Sequence, residues 1–418
     1  MSNRIAKNLS EVKSETLLVG IDLGKDRNIS VVLNTQAQQL DRFGFPHNRT
    51  GYDFLYRQID QLKEEHEKVE VLMGMEPTNF FWKLLAADLE KHQIPYRLVN
   101  AYTVKKHREG DYLDSSKDDP RDAFTVGDLL RTGKFTKTQL LHGPYAELRN
   151  YSSLYYRLRS DLGRQKSLIY VAAKQLFPEL EGVFKDFTGE TARAMLKHHG
   201  AAAVIEEMPL EEFIAAVRSD FQGQHLWRKN LTKAHLLARS SVGLREGIKS
   251  LQHALTAHVN TWETLSAQYE GVKKAMIEIF NHLPESKYVL SIPCFGPVTG
   301  ALVLGEIGNP EHYTHIKQWT KLAGSQPVPD TSGQKQSGRT PMSKKGRPRL
   351  RTTIFYAVLC LIRRDERFIR KYRYLQQRKK NPLTKMEAIG VLMNKLLRIL
   401  WSLIKNQTCY DPTYSSSC

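Results

Sequence analysis

Two long segments in the middle of the chain limit the possible folds strongly, because in both of them apolar residues recur alternately every three and four positions. The first covers residues 148–176 and the second covers residues 251–283. Sustained spacing of this kind predicts long α-helices that pack along a seam. The seam could be a coiled coil or the core of an ordinary helical bundle within one subunit, and the pattern leaves both open. The middle of the chain is therefore predicted to be helical.

The first 130 residues show a different pattern, in which short apolar segments rich in β-branched residues precede and alternate with helical spacing. They predict a meander of three strands and then an alternation of helices and strands. That order is typical of an α/β ribonuclease-H-like (RuvC-like) domain. The predicted strands are residues 17–22, 28–33, 39–45, 69–75 and 95–99, and the predicted helices are residues 52–68, 80–91 and 117–130.

The positive charge of the chain is concentrated near its end. A chain of 418 residues is expected to form two or three domains. It contains 62 Lys and Arg against 44 Asp and Glu, which gives a net charge of +18. Residues 339–380 contain 15 basic and two acidic residues. Such a field attracts a polyanion, so DNA or RNA is the expected partner. Apolar and aromatic residues interleaved with the charges favour a folded surface over a solvated basic tail.

Several other classes of protein are disfavoured by the sequence. The four cysteines form no CxxC pair, so neither an obvious zinc site nor a disulfide framework is expected. Scattered cysteines of this kind favour a protein of the reducing cytoplasm. No apolar stretch is long enough to cross a bilayer. The N-terminus lacks the apolar region and cleavage site of a secretion signal.

Four carboxylates follow the predicted elements in a pattern that suggests metal chemistry. Asp22 ends the first strand and Glu76 ends the fourth, while Asp119 and Asp122 are three residues apart on one face of a helix. Each alone is weak evidence, since an aspartate after a strand is usually a turn residue. Together they fall where the ribonuclease-H-like layout lets them converge, and phosphodiester cleavage needs hard oxygen ligands for Mg²⁺.

Two other enzyme classes compete with this interpretation. The segment Gly-Ile-Asp-Leu-Gly at residues 20–24 resembles the first phosphate loop of the actin-like sugar kinases, but the second glycine-rich loop and the adenosine loop are missing. A tyrosine recombinase would use one of Tyr356, Tyr372 and Tyr374 as its nucleophile, but the Arg-His-Arg pattern expected around that tyrosine is absent. Both classes are disfavoured.

The last third of the chain opens with a segment at residues 290–301 that resembles a helix-hairpin-helix turn. Cys294 stands where many such turns carry glycine, which puts phosphate binding at this turn in doubt. A loop rich in Gly, Ser, Pro, Gln and Lys follows at residues 324–347, then two predicted helices at residues 351–364 and 385–405. Residues 406–418 are predicted to be a disordered tail.

Motifs at both ends of the chain together resemble one known family. Val-Gly-Ile-Asp-Leu-Gly-Lys from residue 19, Met-Glu-Pro-Thr from residue 75 and Asp-Pro-Arg-Asp-Ala from residue 119 resemble the DEDD motif of the bridge-RNA-guided insertion-sequence transposases. Ser-Ile-Pro-Cys-Phe-Gly-Pro-Val-Thr from residue 291, Leu-Ala-Gly from 322, Ser-Gly from 332 and Ser-Lys-Lys-Gly-Arg-Pro-Arg-Leu-Arg from 343 follow the second domain of that family in order. Ordered motifs in two domains are more specific than any one of them.

The resemblance implies an activity and a set of residues. A RuvC-like domain would hold Mg²⁺ (or Mn²⁺) with Asp22, Glu76, Asp119 and Asp122, and the second domain would supply a serine nucleophile that forms a 5′-phosphoserine with DNA. By motif this serine is Ser332, with Ser337 as a second candidate. Partners would be target and donor DNA, a structured bridge RNA that pairs with both, and further copies of the chain in a tetramer of two dimers, in the bacterial cytoplasm at the nucleoid.

The resemblance also divides the chain into parts. These are a RuvC-like domain at residues 1–145, a helical coiled-coil region at 146–285, a mainly α-helical transposase domain with the serine loop at 286–405, and a tail at 406–418. Basic residues at the end of the loop and just after it are candidates to bind phosphates: Lys344, Lys345, Arg347, Arg349 and Arg351. The alternatives are a RuvC-like endonuclease that hydrolyses branched DNA, with the loop merely structural, and a non-catalytic scaffold that binds nucleic acid.

Overall fold

The computed structural model describes residues 3–111, 119–137, 140–328, 331–332, 335–336 and 340–413. The chain divides into two compact units, Met1–Leu140 and Leu141–Cys418. The first unit ends close to the predicted end of the RuvC-like domain. In the part of the chain that the structure describes, no helix is both long and apolar enough to cross a membrane.

The first unit is built on a five-stranded mixed sheet. Its strands are β1 (Thr16–Leu23), β2 (Asn28–Leu33), β3 (Gln39–Phe45), β4 (Glu70–Met75) and β5 (Tyr96–Leu98), in the spatial order β3-β2-β1-β4-β5. The strands β1, β2 and β3 are antiparallel neighbours, whereas β4 pairs parallel to β1 and β5 parallel to β4. The predicted meander and the two later strands are confirmed, and the arrangement is compatible with a ribonuclease-H-like domain.

Helices cover both faces of this sheet: α1 (Asn3–Leu9), α2 (Arg49–Glu65), α3 (Phe81–Lys91), α4 (Ala101–Asp111) and α5 (Asp119–Arg131). Because side chains alternate along a strand, Val19 and Ile21 of β1 lie in the hydrophobic core with α2 and α3. Leu18 lies in a second core with α5. The helix α4 was not predicted from the sequence.

The second unit contains the two long helices, α6 (Gly143–Leu176) and, after four shorter helices, α11 (Ile248–His282). They pack against each other within the chain and run antiparallel: the Tyr269 hydroxyl donates to that of Tyr155 at 2.7 Å, and His258 lies 3.1 Å from the amide oxygen of Gln165. Both predicted helices are confirmed. The shorter helices are α7 (Glu190–His198), α8 (Ala202–Ile205), α9 (Leu210–Ser219) and α10 (Arg228–Ala238), and a short 3₁₀ turn at Pro178–Gly182 precedes them.

Two separate hydrophobic cores form at opposite ends of this helix pair. One contains Leu176 and Leu255 together with α7 to α10. Residues 179–233 were predicted only as polar and helical, but Phe213 and Leu231 are fully buried there. The other core contains Leu148 and Phe280 and the remaining helices. These are α12 (Ser286–Leu290), α13 (Pro297–Ile307), α14 (Ile316–Ala323), α15 (Pro348–Arg364), α16 (Glu366–Gln377) and α17 (Lys385–Asn406), with a 3₁₀ turn at Pro310–His312 after α13 and the strands β6 (Thr331–Ser332) and β7 (Lys335–Gln336) after α14.

The segment after α17 packs against the second core. The backbone N–H of Tyr410 donates to the Ser291 hydroxyl at 2.8 Å, and the Tyr410 hydroxyl donates to Asp365 at 2.8 Å. Arg367 donates to the carbonyl of Asp411 at 3.0 Å. The prediction of a disordered tail is therefore wrong for residues 406–413, because these tertiary hydrogen bonds fix the segment. Residues 414–418 lie outside the described residues.

Candidate functional site

Asp22 and Glu76 occupy neighbouring positions at one edge of the first unit. The strands β1 and β4 pair in parallel with Ile21 opposite Met75, so the next residue along each segment, Asp22 in β1 and Glu76 just after β4, continues the same row. Both side chains are partly buried. By the alternation along β1, Asp22 belongs to the same face as Leu18 and Gly20, which is the face that α5 covers.

The first turn of α5 carries Asp119, which is exposed, and Asp122, whose exposed fraction is 7%. The helix crosses β1 at Gly20, where a Cβ atom would lie 2.0 Å from the carbonyl oxygen of Ala123, so glycine permits the close approach. Just after α5, the carbonyls of Gly133 and Phe135 accept hydrogen bonds from Asn8 in α1.

These contacts orient α5 with respect to β1. Since α1 precedes β1, the end of α5 lies near the start of that strand. The first turn of α5 therefore lies toward the strand end that carries Asp22.

Asp122 is already paired with a cation from the protein. One guanidinium nitrogen of Arg108, in α4, donates to both carboxylate oxygens, at 2.7 Å and 3.0 Å. Within the ranges that the structure describes, no group of three or more His, Cys, Asp or Glu side chains is arranged to hold a metal ion. The donor types suit a hard divalent cation, but as they stand the four predicted ligands do not form a ready metal site.

A second ionic contact joins α4 to α5 beside this pair. His107 lies 2.7 Å from Asp128, and Arg131 also contacts Asp128 at 2.7 Å. Burial alone would raise the pKa of Asp128, but the hydrogen bonds from His107 and Arg131 outweigh it and hold that pKa below its ordinary value. Sequence reasoning missed Arg108 and His107. The only signal was the basic run at residues 105–108, which does not say which acids it meets.

The predicted nucleophile lies in a β-hairpin. In the loop between α14 and α15, Ser332 on β6 pairs with Lys335 on β7. Closer to the base, Pro327 and Met342 form an isolated antiparallel bridge. The predicted loop thus contains short strands that the sequence did not show. Ser337, the second candidate, lies outside the described residues.

The base of this hairpin is held together by backbone hydrogen bonds. Gly324 ends α14 with a φ of 63°, a left-handed conformation that favours glycine. Its carbonyl accepts from the N–H of Lys344 at 2.9 Å, and the carbonyl of Leu322 accepts from Arg347 at 2.6 Å. Gly346 is so close to Gly324 that a Cβ atom would lie 2.4 Å from the Gly324 nitrogen. Both arms of the hairpin therefore leave from one fixed point.

The five predicted phosphate-binding residues divide into two groups. Lys344 and Lys345 are exposed. The three arginines have partners inside the unit: Arg347 donates to the carbonyl of Glu306, Arg349 donates to the Ser153 hydroxyl with its guanidinium 5.4 Å from the Tyr156 ring centre, and Arg351 donates to the carbonyls of Ala323 and Lys344 at 3.0 Å and 3.2 Å. Arg347 and Arg351 fasten the hairpin base, whereas Arg349 joins α15 to α6. The predicted role of all three as phosphate ligands stays a prediction.

Arg347 belongs to a buried charge cluster. The side chain of Glu306, on α13, is 1% exposed and forms an ion pair with Arg149 of α6. Burial and the neighbouring Arg149 lower the pKa of Arg347. The cluster links α6, α13 and the C-terminal arm of the hairpin.

The surface of α15 and α16 is strongly basic. Tyr356 and Tyr374 are 58% and 56% exposed, and the Lys371 ammonium lies 4.9 Å from the Tyr374 ring centre. Exposed cations beside exposed rings can contact both the phosphates and the bases of a nucleic acid. The exposed basic residues of these two helices are Arg363, Arg364, Arg370, Lys371 and Arg373.

The segment that resembles a helix-hairpin-helix turn, residues 290–301, runs from the last residue of α12 into the start of α13. Cys294 adopts a φ of 69° there, so a cysteine occupies a conformation that favours glycine. Burial, with a hydrogen bond to Cys360, raises the pKa of the Cys294 thiol to about 11. The Cys294 thiol is therefore disfavoured as a thiolate at neutral pH.

Comparisons with known proteins point to one family. A model for DEDD transposases of the IS110 type, described as a transposase, matches residues 19–178, which contain all four acids. A second model, described as "Transposase IS116/IS110/IS902 family", matches residues 286–373, which contain Ser332 and the five basic residues.

Two curated relatives agree with these matches. The "mini-circle putative transposase for IS117" of Streptomyces coelicolor is 23% identical over 338 residues, covering 77% of this chain and 79% of the relative. A "probable family 20 transposase" of Pseudomonas aeruginosa is 28% identical over 126 residues, covering 30% of this chain and 36% of the relative. The two models and the relative that spans most of the chain lead to one conclusion: the chain belongs to the IS116/IS110/IS902 family of transposases and is a transposase enzyme.

Proposed function

We propose that this transposase cuts and rejoins the DNA of an insertion sequence with Ser332 as its nucleophile. The observation that carries the proposal is the anchored hairpin: Ser332 sits on β6, and both arms are tied at Gly324 and Arg347. A nucleophile needs a fixed position relative to the phosphate it attacks. The order of the two family matches along the chain supports the same division into an acidic unit and a serine unit.

The reaction follows from serine chemistry. The Ser332 Oγ attacks the phosphorus, the bond from phosphorus to the 3′-oxygen breaks, and that oxygen leaves as a 3′-hydroxyl with a proton. A 5′-phosphoserine ester remains. In the second step a new 3′-hydroxyl attacks the same phosphorus, and Oγ leaves and regains a proton. The number of phosphodiester bonds is conserved, so rejoining needs no ATP.

The proposal includes the acidic unit and the partners. The DEDD-type domain indicates the use of a divalent metal in general, and the proposed ion is Mg²⁺ or Mn²⁺ with Asp22, Glu76, Asp119 and Asp122 as ligands. The exposed basic residues of α15 and α16 suit a polyanion. The proposed partners are target and donor DNA, a structured RNA that pairs with both and so selects the sites, and further copies of the chain in a tetramer, in the bacterial cytoplasm at the nucleoid.

The nucleophile is tested with the full chain, its copurified RNA and a 3′-labelled duplex that spans an end of the encoding element. A covalent protein–DNA adduct on a denaturing gel is expected, and Ser332→Ala should reduce it by roughly 10³-fold or more. The matched control is Ser337→Ala, which should keep the adduct. An adduct that survives Ser332→Ala and is lost in Ser337→Ala overturns the assignment of Ser332.

The other outcomes separate the competing functions. Free nicked ends that persist in Ser332→Ala, without an adduct in the unchanged protein, favour a RuvC-like endonuclease. Nucleic-acid binding unchanged by Asp22→Asn, with no strand breakage in Mg²⁺, favours a scaffold. Sequencing of the copurified RNA tests the guide: one structured species from the flanks of the element is expected, and a random sample of cellular RNA contradicts it.

A further inference from the structure

Arg108 holds Asp122 in an unusual way. A single guanidinium nitrogen is 2.7 Å from one carboxylate oxygen and 3.0 Å from the other. It thus lies between the two oxygens, where a cation chelated by the carboxylate would lie. The Asp122 side chain is 10% exposed and that of Arg108 is 21% exposed, so water screens the pair only in part. The protein's own positive charge therefore takes a position that a metal ion would need.

Among the described residues of α4, one buried apolar side chain and two ionic contacts join the helix to α5. Within α4, Val104 is buried at 3% exposure, whereas Lys105, Lys106 and Glu109 are exposed. His107 and Arg108 supply the ionic contacts to Asp128 and Asp122. Release of Arg108 from Asp122 would leave Val104 and the contact between His107 and Asp128 in place.

We propose that Arg108 is a resident counter-ion that competes with the divalent metal for Asp122, so that metal binding requires Arg108 to leave. The inference rests on the proposed function, because it takes Asp122 as a ligand. The observation behind it is that the Arg108 nitrogen contacts both oxygens of Asp122, so this predicted ligand already has a positive partner in the protein. It also explains how a nearly buried carboxylate is tolerated without metal, since an unpaired one would be costly.

The test measures Mn²⁺ binding to the full chain without DNA, by the loss of the free-ion EPR signal after removal of metal with a chelator. Arg108→Gln is expected to bind Mn²⁺ roughly five- to thirty-fold more tightly, which corresponds to about 1–2 kcal/mol. The matched control is Arg131→Gln, which removes the same charge from the Asp128 pair and should leave the affinity unchanged. Weaker or equal binding by Arg108→Gln overturns the inference, because a residue that merely orients Asp122 gives that result.

A second measurement needs no variant that could misfold. In the unchanged protein, hydrogen exchange of residues 101–111 should increase when Mn²⁺ is added, because α4 loses its anchor on Asp122. Exchange that stays equal or slows overturns the inference. Failure of this inference can be told apart from failure of the proposed function. If Asp122→Asn does not weaken Mn²⁺ binding, Asp122 is not a metal ligand and the acid site of the proposed function is contradicted as well. If binding needs Asp122 but Arg108→Gln does not tighten it, only the role of Arg108 is contradicted.

Discussion

Replacing Glu306 with glutamine should destabilise the second unit much more than breaking a surface ion pair. Glutamine keeps the shape of the side chain but leaves Arg149 without its counter-charge. The Glu306 side chain is 1% exposed and that of Arg149 is 28% exposed. Breaking one partner of a buried pair costs about 3–5 kcal/mol, and the partial exposure of Arg149 points to the lower end, about 3 kcal/mol.

The matched comparison is Glu366→Gln. It breaks the 3.4 Å contact with Arg370, where the side chains are 83% and 73% exposed. Such pairs contribute little because water screens them, so this variant should unfold like the unchanged protein.

The assay is urea unfolding followed by the fluorescence of Trp319 and Trp401, whose rings lie 5.1 Å apart in the same core as α13. If Glu306→Gln loses no more unfolding free energy than Glu366→Gln does, the reasoning is refuted. A double variant, Arg149→Met with Glu306→Leu, removes both charges and should recover most of the stability. If the double variant is as unstable as the single one, the loss comes from packing and not from the unpaired charge.

Two further predictions concern the first unit. Gly20→Ala should destabilise it by about 3 kcal/mol or more, because the added Cβ would lie 2.0 Å from the carbonyl oxygen of Ala123. Urea unfolding measures this loss. The control is Gly163→Ala in α6, where the added carbon would have no such neighbour within 4 Å, and this variant should be neutral or stabilising. The pKa of Asp128 is lowered in the folded state, so its contribution to stability is present above the ordinary value of about 3.9 and is lost as the pH falls through the lower folded value. The difference in unfolding free energy between the unchanged protein and Asp128→Asn should therefore shrink from pH 5 to pH 3, and a constant difference would contradict the cause given for the shift.

The sequence predicted the long helices because burial imposes a spacing of three and four on their apolar residues, and it predicted β1 and β4 because strands buried on both faces are short apolar segments. The same apolar segments also placed Asp22 and Glu76 near the ends of β1 and β4, and the parallel register then puts them in one row. The helix α4 escaped prediction because Val104 alone gives it a buried apolar position. The contact between Arg108 and Asp122 joins two helices and has no local pattern.

The hairpin and the end of the chain were missed for related reasons. The strands β6 and β7 are two residues each, too short for alternation to appear. The ordering of Tyr410 depends on Asp365 and Ser291, which are distant in sequence. The hydrogen-bond partners of the Arg347 and Arg351 side chains, such as Glu306 and Ala323, are also distant in sequence. Basic composition alone therefore could not show that these two arginines bond within the protein while Lys344 is exposed.

The length of the helix pair of α6 and α11 determines both the distance between its two ends and the rotation of one end relative to the other. At 1.5 Å per residue, the 34 residues of α6 extend about 50 Å, comparable to roughly 15 base pairs at 3.4 Å each. Whole heptads added to both helices would lengthen this spacer and nearly preserve the orientation of its two ends. A single added residue would instead turn one end by about 100°. Natural changes in the length of this segment are therefore expected to occur in steps of seven.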